Sequence, residues 1–250
     1  MRQPKSQIHI WGRRWYNSGC ASWSKALRAR GWLVHTFDIN DGQDLSSPAV
    51  QKHVFSLIRQ ADFIHSGLPC NTYTSALIGD AILRTREHPM GRPGLSSKQQ
   101  ANVELHNKLL MFMLRVIRFC RRKKIPLSLE NPCSSKLWQT PLLRRESKDG
   151  TRCTVDFCAF HTRWRKRTTF LTWNTHALHS LNQYRCKFCK GCCQYSGCPH
   201  VQLEGSGPGG KAWTRIAQDY PVSLTRLISR LIDDQADLHD IRFYRSRLLA

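Results

Sequence analysis

The pattern of apolar and polar positions predicts strands alternating with helices through about the first 170 residues. Short apolar runs bounded by turn residues predict strands near residues 8–11, 33–38, 63–64, 125–130, 151–160 and 168–173. Apolar positions at helical spacing predict helices at 22–30, within 44–60, at 74–84, at 103–122 and within 211–249. This alternation favours a mostly parallel sheet with helices on both faces, so the expected class is α/β.

Composition divides the chain into three expected parts. Residues 1–175 hold the alternating core, residues 176–208 are rich in cysteine and histidine, and residues 209–250 return to the core as helix. Gly205 to Gly210 predicts a flexible hinge between the last two parts. The stretch 84–97, with two prolines and two glycines, predicts a mobile loop.

The charge balance points to a polyanionic partner. The 250 residues carry 39 Lys and Arg against 17 Asp and Glu, a formal net charge of +22. Nucleic acid is the first candidate, either single- or double-stranded DNA, with RNA as an alternative. Tryptophans beside basic residues at 11–15 and 163–167 suit base stacking and phosphate neutralisation, although a solvated basic face around a buried tryptophan is as common.

Eleven cysteines would suggest disulfides in a short secreted chain, but the first seven residues contain no apolar signal core. The thiols are therefore expected to be reduced. No apolar run approaches the roughly 20 residues of a membrane helix. The expected protein is soluble and intracellular, not secreted, and located in the nucleus or another compartment that contains DNA.

One cysteine follows a buried strand at a turn. The apolar run after Asp62 stops at Gly67 and leads to Pro69 and Cys70. A cysteine on such a strand-to-helix loop would lie near a helix N-terminus, which favours the nucleophilic thiolate. The alternative is that Cys70 is a small buried hydrophobic residue, as most free cysteines are, and the residues alone favour that alternative.

Two carboxylates also end predicted strands. Asp38 closes a strand, turn, helix and strand arrangement with Gly19 in its turn, which is the order of a nucleotide-binding unit with the acid on the ribose. Asp38 as an ordinary cap or surface acid is an equal alternative. Glu130 ends a later strand, where α/β folds place ligand groups.

The cysteine-rich part of the chain contains a potential metal site. Five cysteines and a histidine lie within the fifteen residues from Cys186 to His200. A Cys-x-x-Cys pair is half of a tetrahedral zinc site, and the later thiols with the histidine can supply the other half. Free thiols, or a site that uses only some of these residues, remain open. The predicted ligands are Cys186, Cys189, Cys193, Cys198 and His200.

Together these motifs resemble the C5-cytosine-specific DNA methyltransferase family, in its compact viral and protist form. Gly67-Leu-Pro-Cys70 resembles the family's Pro-Cys nucleophile loop, and Leu129-Glu130-Asn-Pro132 matches its Glu-Asn-Pro motif. The two occur in the family's order and at its interval of about sixty residues. The later stretches 157–168 and 193–221 resemble the basic and closing motifs of compact members, so the resemblance covers most of the chain.

The resemblance implies a Rossmann-like, S-adenosylmethionine-dependent fold that transfers a methyl group to C5 of cytosine in DNA. Cys70 would add to C6 of the base, Glu130 would hold the N3 and amino edge, and Arg165 with Arg163 would contact O2. Asp38 would bind the ribose of the cofactor, and Asp62 or Asp44 would approach its adenine. The full set of implied cofactor residues is Ser18, Gly19, Asp38, Asp62, Gly67 and Pro69.

The chain departs from the family at three points. The glycine-rich cofactor loop survives only as residues 17–21, and no large target-recognition domain fits between Phe170 and Gly205. The family's Gln-x-Arg-x-Arg motif is matched only by residues 161–165, and an alternative register would use Lys166. Two alternatives to an active DNA methyltransferase follow. One is a decayed, zinc-containing relative that binds nucleic acid but not the methyl donor. The other is an RNA cytosine C5 methyltransferase.

Overall fold

A computed structural model describes the backbone of residues 7–12, 22–187 and 189–248, and the side chains of 22–39, 41–187 and 189–236. Within these ranges the protein is α/β, as the sequence predicts. No helix in the described part of the chain combines the length and apolar content needed to cross a membrane.

Six strands form one sheet in the described chain, and six α-helices accompany them. The strands are β1 Gln7–Gly12, β2 Leu33–Asp38, β3 Phe63–Gly67, β4 Leu127–Pro132, β5 Thr151–Asp156 and β6 Arg167–Trp173. The helices are α1 Ser22–Arg28, α2 Pro48–Ile58, α3 Ser97–Lys123, α4 Pro141–Glu146, α5 Trp213–Ile216 and α6 Val222–Leu248. Short 3-10 turns lie at 39–41, 79–81, 136–139, 147–149, 157–160, 179–184 and 208–210.

The sheet is mixed in direction. Its strand order is β2-β1-β3-β4-β6-β5. Strands β3 and β4 are parallel, whereas β1 and β3 are antiparallel, with Trp11 opposite Phe63. The expectation of a mostly parallel sheet is therefore wrong at β1. The alternation of strands and helices predicts the class, but β2 and two helices separate β1 from β3, a connection long enough for either direction.

The longest described helix of the first half, α3, has its ends specified by local chemistry. A capping box begins it: the Ser96 side chain accepts from the Gln99 backbone N–H, and the Gln99 side chain accepts from the Ser96 N–H. Lys124, in the left-handed conformation at φ 56°, ends it. Its apolar stripe, which includes Leu110, Met113 and Ile117, is fully buried in the main core.

The chain forms two compact units, each assembled from separate stretches. The first contains residues 1–12, 35–152 and 169–175, and the second contains 13–34, 153–168 and 176–250. In the first unit α3 packs among β3, β4 and α2 side chains. In the second unit α1 packs on α6, and the Trp32 indole N–H donates to Asp233 at 3.0 Å.

The helix expected at 74–84 is not formed. This stretch contains turns and a single 3-10 turn at Gly79–Ala81, where Gly79 has a φ of +56°. The apolar residues that suggested a helix do not share one buried face, since Ile78 is 85% exposed while Leu83 is buried. Burial of Leu83 and Arg84 holds the segment in an irregular path instead.

Candidate active edge and metal centre

Parallel pairing of β3 and β4 brings the two candidate catalytic residues to one edge of the sheet. Gly67, the last residue of β3, pairs with Glu130. A Cβ added at Gly67 would lie 3.5 Å from Oε2 of Glu130, so the carboxylate stands over the Gly67 backbone. Cys70 follows three residues later on the same edge. The Asn131 side chain donates to the Leu68 carbonyl at 2.8 Å and ties the Glu130 strand to the Cys70 loop.

Cys70 lies in a tight turn and is partly exposed. The Tyr73 N–H donates to the Cys70 carbonyl at 2.9 Å, and the Lys136 N–H donates to the Tyr73 carbonyl at 2.8 Å. Because no helix follows this turn, the predicted stabilisation of a Cys70 thiolate by a helix N-terminus is wrong. The geometry around Cys70 comes from hydrogen bonds to the turn rather than from a helix dipole.

A buried arginine lies behind this turn. Arg84 is 0% exposed, and its guanidinium carbon is 3.9 Å from the centre of the Tyr73 ring. Its hydrogen-bond acceptors are all neutral: Thr72 Oγ1 at 3.2 Å, Asn107 Oδ1 at 2.8 Å, and the carbonyls of Pro89 at 2.8 Å and Val103 at 3.3 Å. The stretch predicted to be a mobile loop therefore starts at a buried anchor.

Arg84 is the charged side chain of this cluster at neutral pH, because the shifted pKa values of His106 and Tyr73 keep those two side chains neutral. Burial, with the charge of Arg84 second, lowers the pKa of His106 to about 3. Thr72 Oγ1 accepts from Arg84 and lies 2.7 Å from His106 Nδ1, a pair whose donor and acceptor depend on the tautomer of the ring. Burial raises the pKa of Tyr73 to about 12, opposed by Arg84. A fixed positive charge thus lies beneath the Cys70 turn.

The residues implied as cofactor ligands are distributed differently. Gly67 and Pro69 lie on the Cys70 edge, and Asp38 is buried at the end of β2. Asp62 is exposed immediately before β3, so the length of the strand, roughly 15 Å or more, separates it from Cys70. Ser18 and Gly19 lie outside the described residues.

The direction of β1 bears on the predicted cofactor loop. In a nucleotide-binding unit this loop leaves the carboxyl end of the first strand, at the edge where the ligand lies. Because β1 is antiparallel to β3, it ends beside the start of β3, with Trp11 opposite Phe63. The carboxyl end of β1 is therefore at the opposite edge from Cys70 and Glu130.

Both candidate arginines belong to the second unit and are exposed. They lie in the connection between β5 and β6. The Arg165 carbonyl accepts from the Phe157 N–H, and the Arg163 carbonyl accepts from the Val201 N–H, both at 2.8 Å. Their backbones thus anchor the connection and leave the guanidinium groups at the surface.

A separate cluster in the second unit has the geometry of a metal centre. One donor atom from each of Cys158, Cys186, Cys193 and His200 lies within 4.8 Å of every other. The Cys186 Sγ is 3.7 Å from the Cys193 Sγ and 3.8 Å from the His200 Nε2. The three thiols are buried. This Cys3His cluster could hold a metal ion.

The cluster corrects the predicted ligand set. Cys186, Cys193 and His200 belong to it, but Cys189 and Cys198 are exposed and lie outside it. Its fourth member, Cys158, lies 28 residues before Cys186 and was missed. A lone cysteine after a strand carries no metal-spacing signal, so only the fold reveals it.

Local structure explains which thiols turn inward. Cys189 and Cys192 exchange backbone hydrogen bonds at 3.2 and 3.0 Å across a tight turn, in which Gly191 has a φ of +77°. This turn returns the chain, so that Cys186 and Cys193 meet while Cys189 stays at the exposed tip. Burial would raise the pKa of Cys193, but backbone and side-chain hydrogen bonds from Tyr195, Ser196 and Cys186 lower it to about 6.

A buried ion pair supports the same cluster. Asp156 is 0% exposed and accepts two hydrogen bonds from Arg167, at 2.9 and 2.7 Å. Its Oδ2 also accepts the Cys186 N–H at 2.7 Å. Asp156 therefore joins the end of β5, the start of β6 and Cys186, and it orients Cys186 toward the other donors.

Comparison with known proteins assigns neither a family nor a function to this chain. No protein-family model, no curated protein and no solved structure matches this chain. Its function is therefore inferred from the arrangement of its own residues.

Proposed function

We propose that the protein transfers a methyl group to C5 of cytosine in DNA, on a Rossmann-like framework that uses S-adenosylmethionine. The observation that carries the proposal is the pairing of Gly67 with Glu130 between parallel strands. This register brings the Cys70 turn and the Glu130 carboxyl to one edge of the sheet, and the proposal requires that a planar base contact both. The Pro-Cys and Glu-Asn-Pro motifs supply the same two groups in the family that the sequence resembles.

The chemistry assigns one role to each group. The Cys70 thiolate forms a bond to C6 of cytosine, while a protonated Glu130 donates to N3 and stabilises the charge that develops on the ring. The methyl group comes from S-adenosylmethionine. Loss of the C5 proton to a base then allows the C6–S bond to break, which restores the thiolate and releases the methylated base.

Access to the base requires a single strand or base flipping. C5 and C6 are buried in a stacked duplex, and extruding the base costs a few kcal/mol. A protein with a net charge of +22 can offset part of this cost through phosphate contacts. DNA is the substrate we propose, and comparison of matched DNA and RNA oligonucleotides in the same assay separates it from RNA.

Covalent trapping tests the proposal. A 5-fluorocytosine oligonucleotide blocks loss of the C5 substituent, so we expect a denaturation-resistant adduct in the presence of S-adenosylmethionine. Cys70→Ser should abolish the adduct. Cys133→Ser is the matched control, since Cys133 is exposed just after the Glu-Asn-Pro motif, and it should form the adduct like the wild type. An adduct with Cys70→Ser, or none with the wild type, would refute methyl transfer through this thiol.

One observation favours a second candidate, a relative that binds nucleic acid without the methyl donor. The carboxyl end of β1 lies at the edge opposite Cys70, which does not fit the usual cofactor loop. Addition of the thiolate at C6 also labilises the hydrogen at C5, without any methyl donor. Solvent exchange at C5 that depends on Cys70, with no calorimetric binding of S-adenosylmethionine, would identify this second candidate.

We also propose that the ion of the Cys3His cluster is Zn²⁺. Thiolates and imidazole are the donors of structural zinc sites, whereas magnesium and calcium prefer oxygen. The cluster offers three thiols and one imidazole and no carboxylate. About one zinc per chain is expected by elemental analysis.

A further inference from the structure

We infer that the zinc ion is a structural clasp, in which Cys158 after β5 holds the cysteine-rich hairpin of residues 185–200 in its folded form. The inference rests on the proposed zinc and is independent of methyl transfer. The hairpin contributes Cys186, Cys193 and His200, and the 3-10 turn at Phe157–Phe160 contributes Cys158. The two segments meet at the metal.

The distances fit a tetrahedral ion. Four ligands at about 2.3 Å from a common centre lie about 3.8 Å from one another. The separations of the Cys186 Sγ from the Cys193 Sγ and from the His200 Nε2 are 3.7 and 3.8 Å. A disulfide would bring two sulfurs to about 2.05 Å, so these thiols are not paired covalently.

The ligand count indicates a structural role. Catalytic zinc sites use three protein ligands and leave the fourth position for water or substrate, whereas structural sites use four. Here four protein donors surround one point, and three of them are buried. No position is left for a substrate, so the ion would stabilise the fold.

The described part of the hairpin buries little apolar surface. Among the described residues, the buried apolar cluster at this place consists of three ligand cysteines, Cys158, Cys186 and Cys193. Around them, residues 187 and 189–191 and residues 194–199 are exposed. Because three small thiols bury little apolar surface, metal binding would add ordering free energy to the hydrogen bond between the Cys186 N–H and Asp156.

The test compares ligand and non-ligand cysteines in the full-length protein. Cys158→Ser and Cys186→Ser should lose zinc by elemental analysis, whereas Cys189→Ser and Cys198→Ser should retain about one zinc per chain. Trypsin reports the fold of the hairpin, because Lys187 and Lys190 lie on its exposed side. Cleavage after these lysines should be at least tenfold faster in the two ligand variants, and in the wild type after chelation.

Each outcome decides between distinct claims. Full zinc in Cys158→Ser, or loss of zinc in Cys189→Ser, overturns the ligand set. Zinc that can be removed without faster cleavage overturns the clasp and leaves zinc binding intact. If Cys158→Ser does not fold, the wild-type protein loaded with cobalt in place of zinc is measured instead by absorption spectroscopy. The absence of intense thiolate-to-cobalt absorption would then refute the metal site. Adduct formation by Cys189→Ser reports on the catalytic proposal separately.

Discussion

At the residue scale, Arg84 explains how an irregular segment holds the Cys70 turn in place. Tyr73 packs in the main core, and Arg84 adds a hydrogen bond to Thr72 and a stacked contact to the Tyr73 ring. The Arg84 carbonyl also accepts from the Lys136 side chain at 2.7 Å. Arg84 thus acts as a positioning residue, joining the Cys70 turn to the segment that follows Glu130.

We expect Arg84→Met to lower the free energy of unfolding by about 3 kcal/mol. Hydrogen bonds from a charged donor contribute about 1.5–3 kcal/mol each, non-additively, and removal leaves the Thr72 and Asn107 oxygens without this donor. Arg86→Met is the control, because Arg86 is exposed two residues away. Urea unfolding measures both variants, and equal stability of the two would contradict the role of Arg84.

At the element scale, α3 determines where Glu130 lies. The helix ends at Lys124, whose left-handed conformation turns the chain directly into β4, and the Ile125 N–H donates to the Cys120 carbonyl at 2.9 Å. Ten residues of α3 are buried, so its packing determines where β4 starts. The register of β4 against β3 then carries Glu130 to the Cys70 edge.

We expect Ser96→Ala to lower the free energy of unfolding by about 1 kcal/mol. The substitution removes the side-chain oxygen that accepts from the Gln99 N–H at the first turn of α3. Ser97→Ala is the matched control, since Ser97 is the first residue of the helix and makes no capping contact. Thermal or urea unfolding distinguishes the two, and an equal loss in both variants would refute a contribution of the cap.

At the scale of the whole molecule, part of the positive charge lines a groove on the surface. Arg59, Arg115, Arg118 and Arg122 line a cavity of about 360 Å³ with the rings of Phe55 and Phe119. Glu146 offsets part of this charge through Arg118 at 2.8 Å, whereas Arg59 and Arg122 are exposed. Basic and aromatic side chains together suit a nucleic-acid strand.

We expect the affinity for a duplex oligonucleotide to fall steeply with salt, and Arg59→Gln with Arg122→Gln to reduce the slope by about 2. Each phosphate contact contributes about −0.9 to the slope of log affinity against log salt. Lys98→Gln with Lys108→Gln removes the same charge from exposed positions of α3 outside the groove. Equal slopes for the two double variants, measured by fluorescence anisotropy, would exclude the groove as the binding surface.

The amino-acid sequence determined the features that depend on neighbours along the chain. Strand β2 and helix α3 follow from short-range apolar periodicity and capping residues, and the structure confirms both, with α3 starting six residues before the predicted helix. The positions of Cys70 after one strand and of Glu130 near the carboxyl end of another were predictable from the apolar runs, whereas the resemblance alone made them a candidate catalytic pair. Cys186, Cys193 and His200 were predictable from their local spacing.

Only the tertiary structure decided the features that depend on distant partners. The antiparallel direction of β1, the burial of Arg84 in place of a helix at 74–84, and the choice of Cys158 over Cys189 each depend on contacts between separated segments. Local propensity carries no information about which segments meet. The free energy of burying a side chain or completing a set of four ligands exists only after folding brings the partners together.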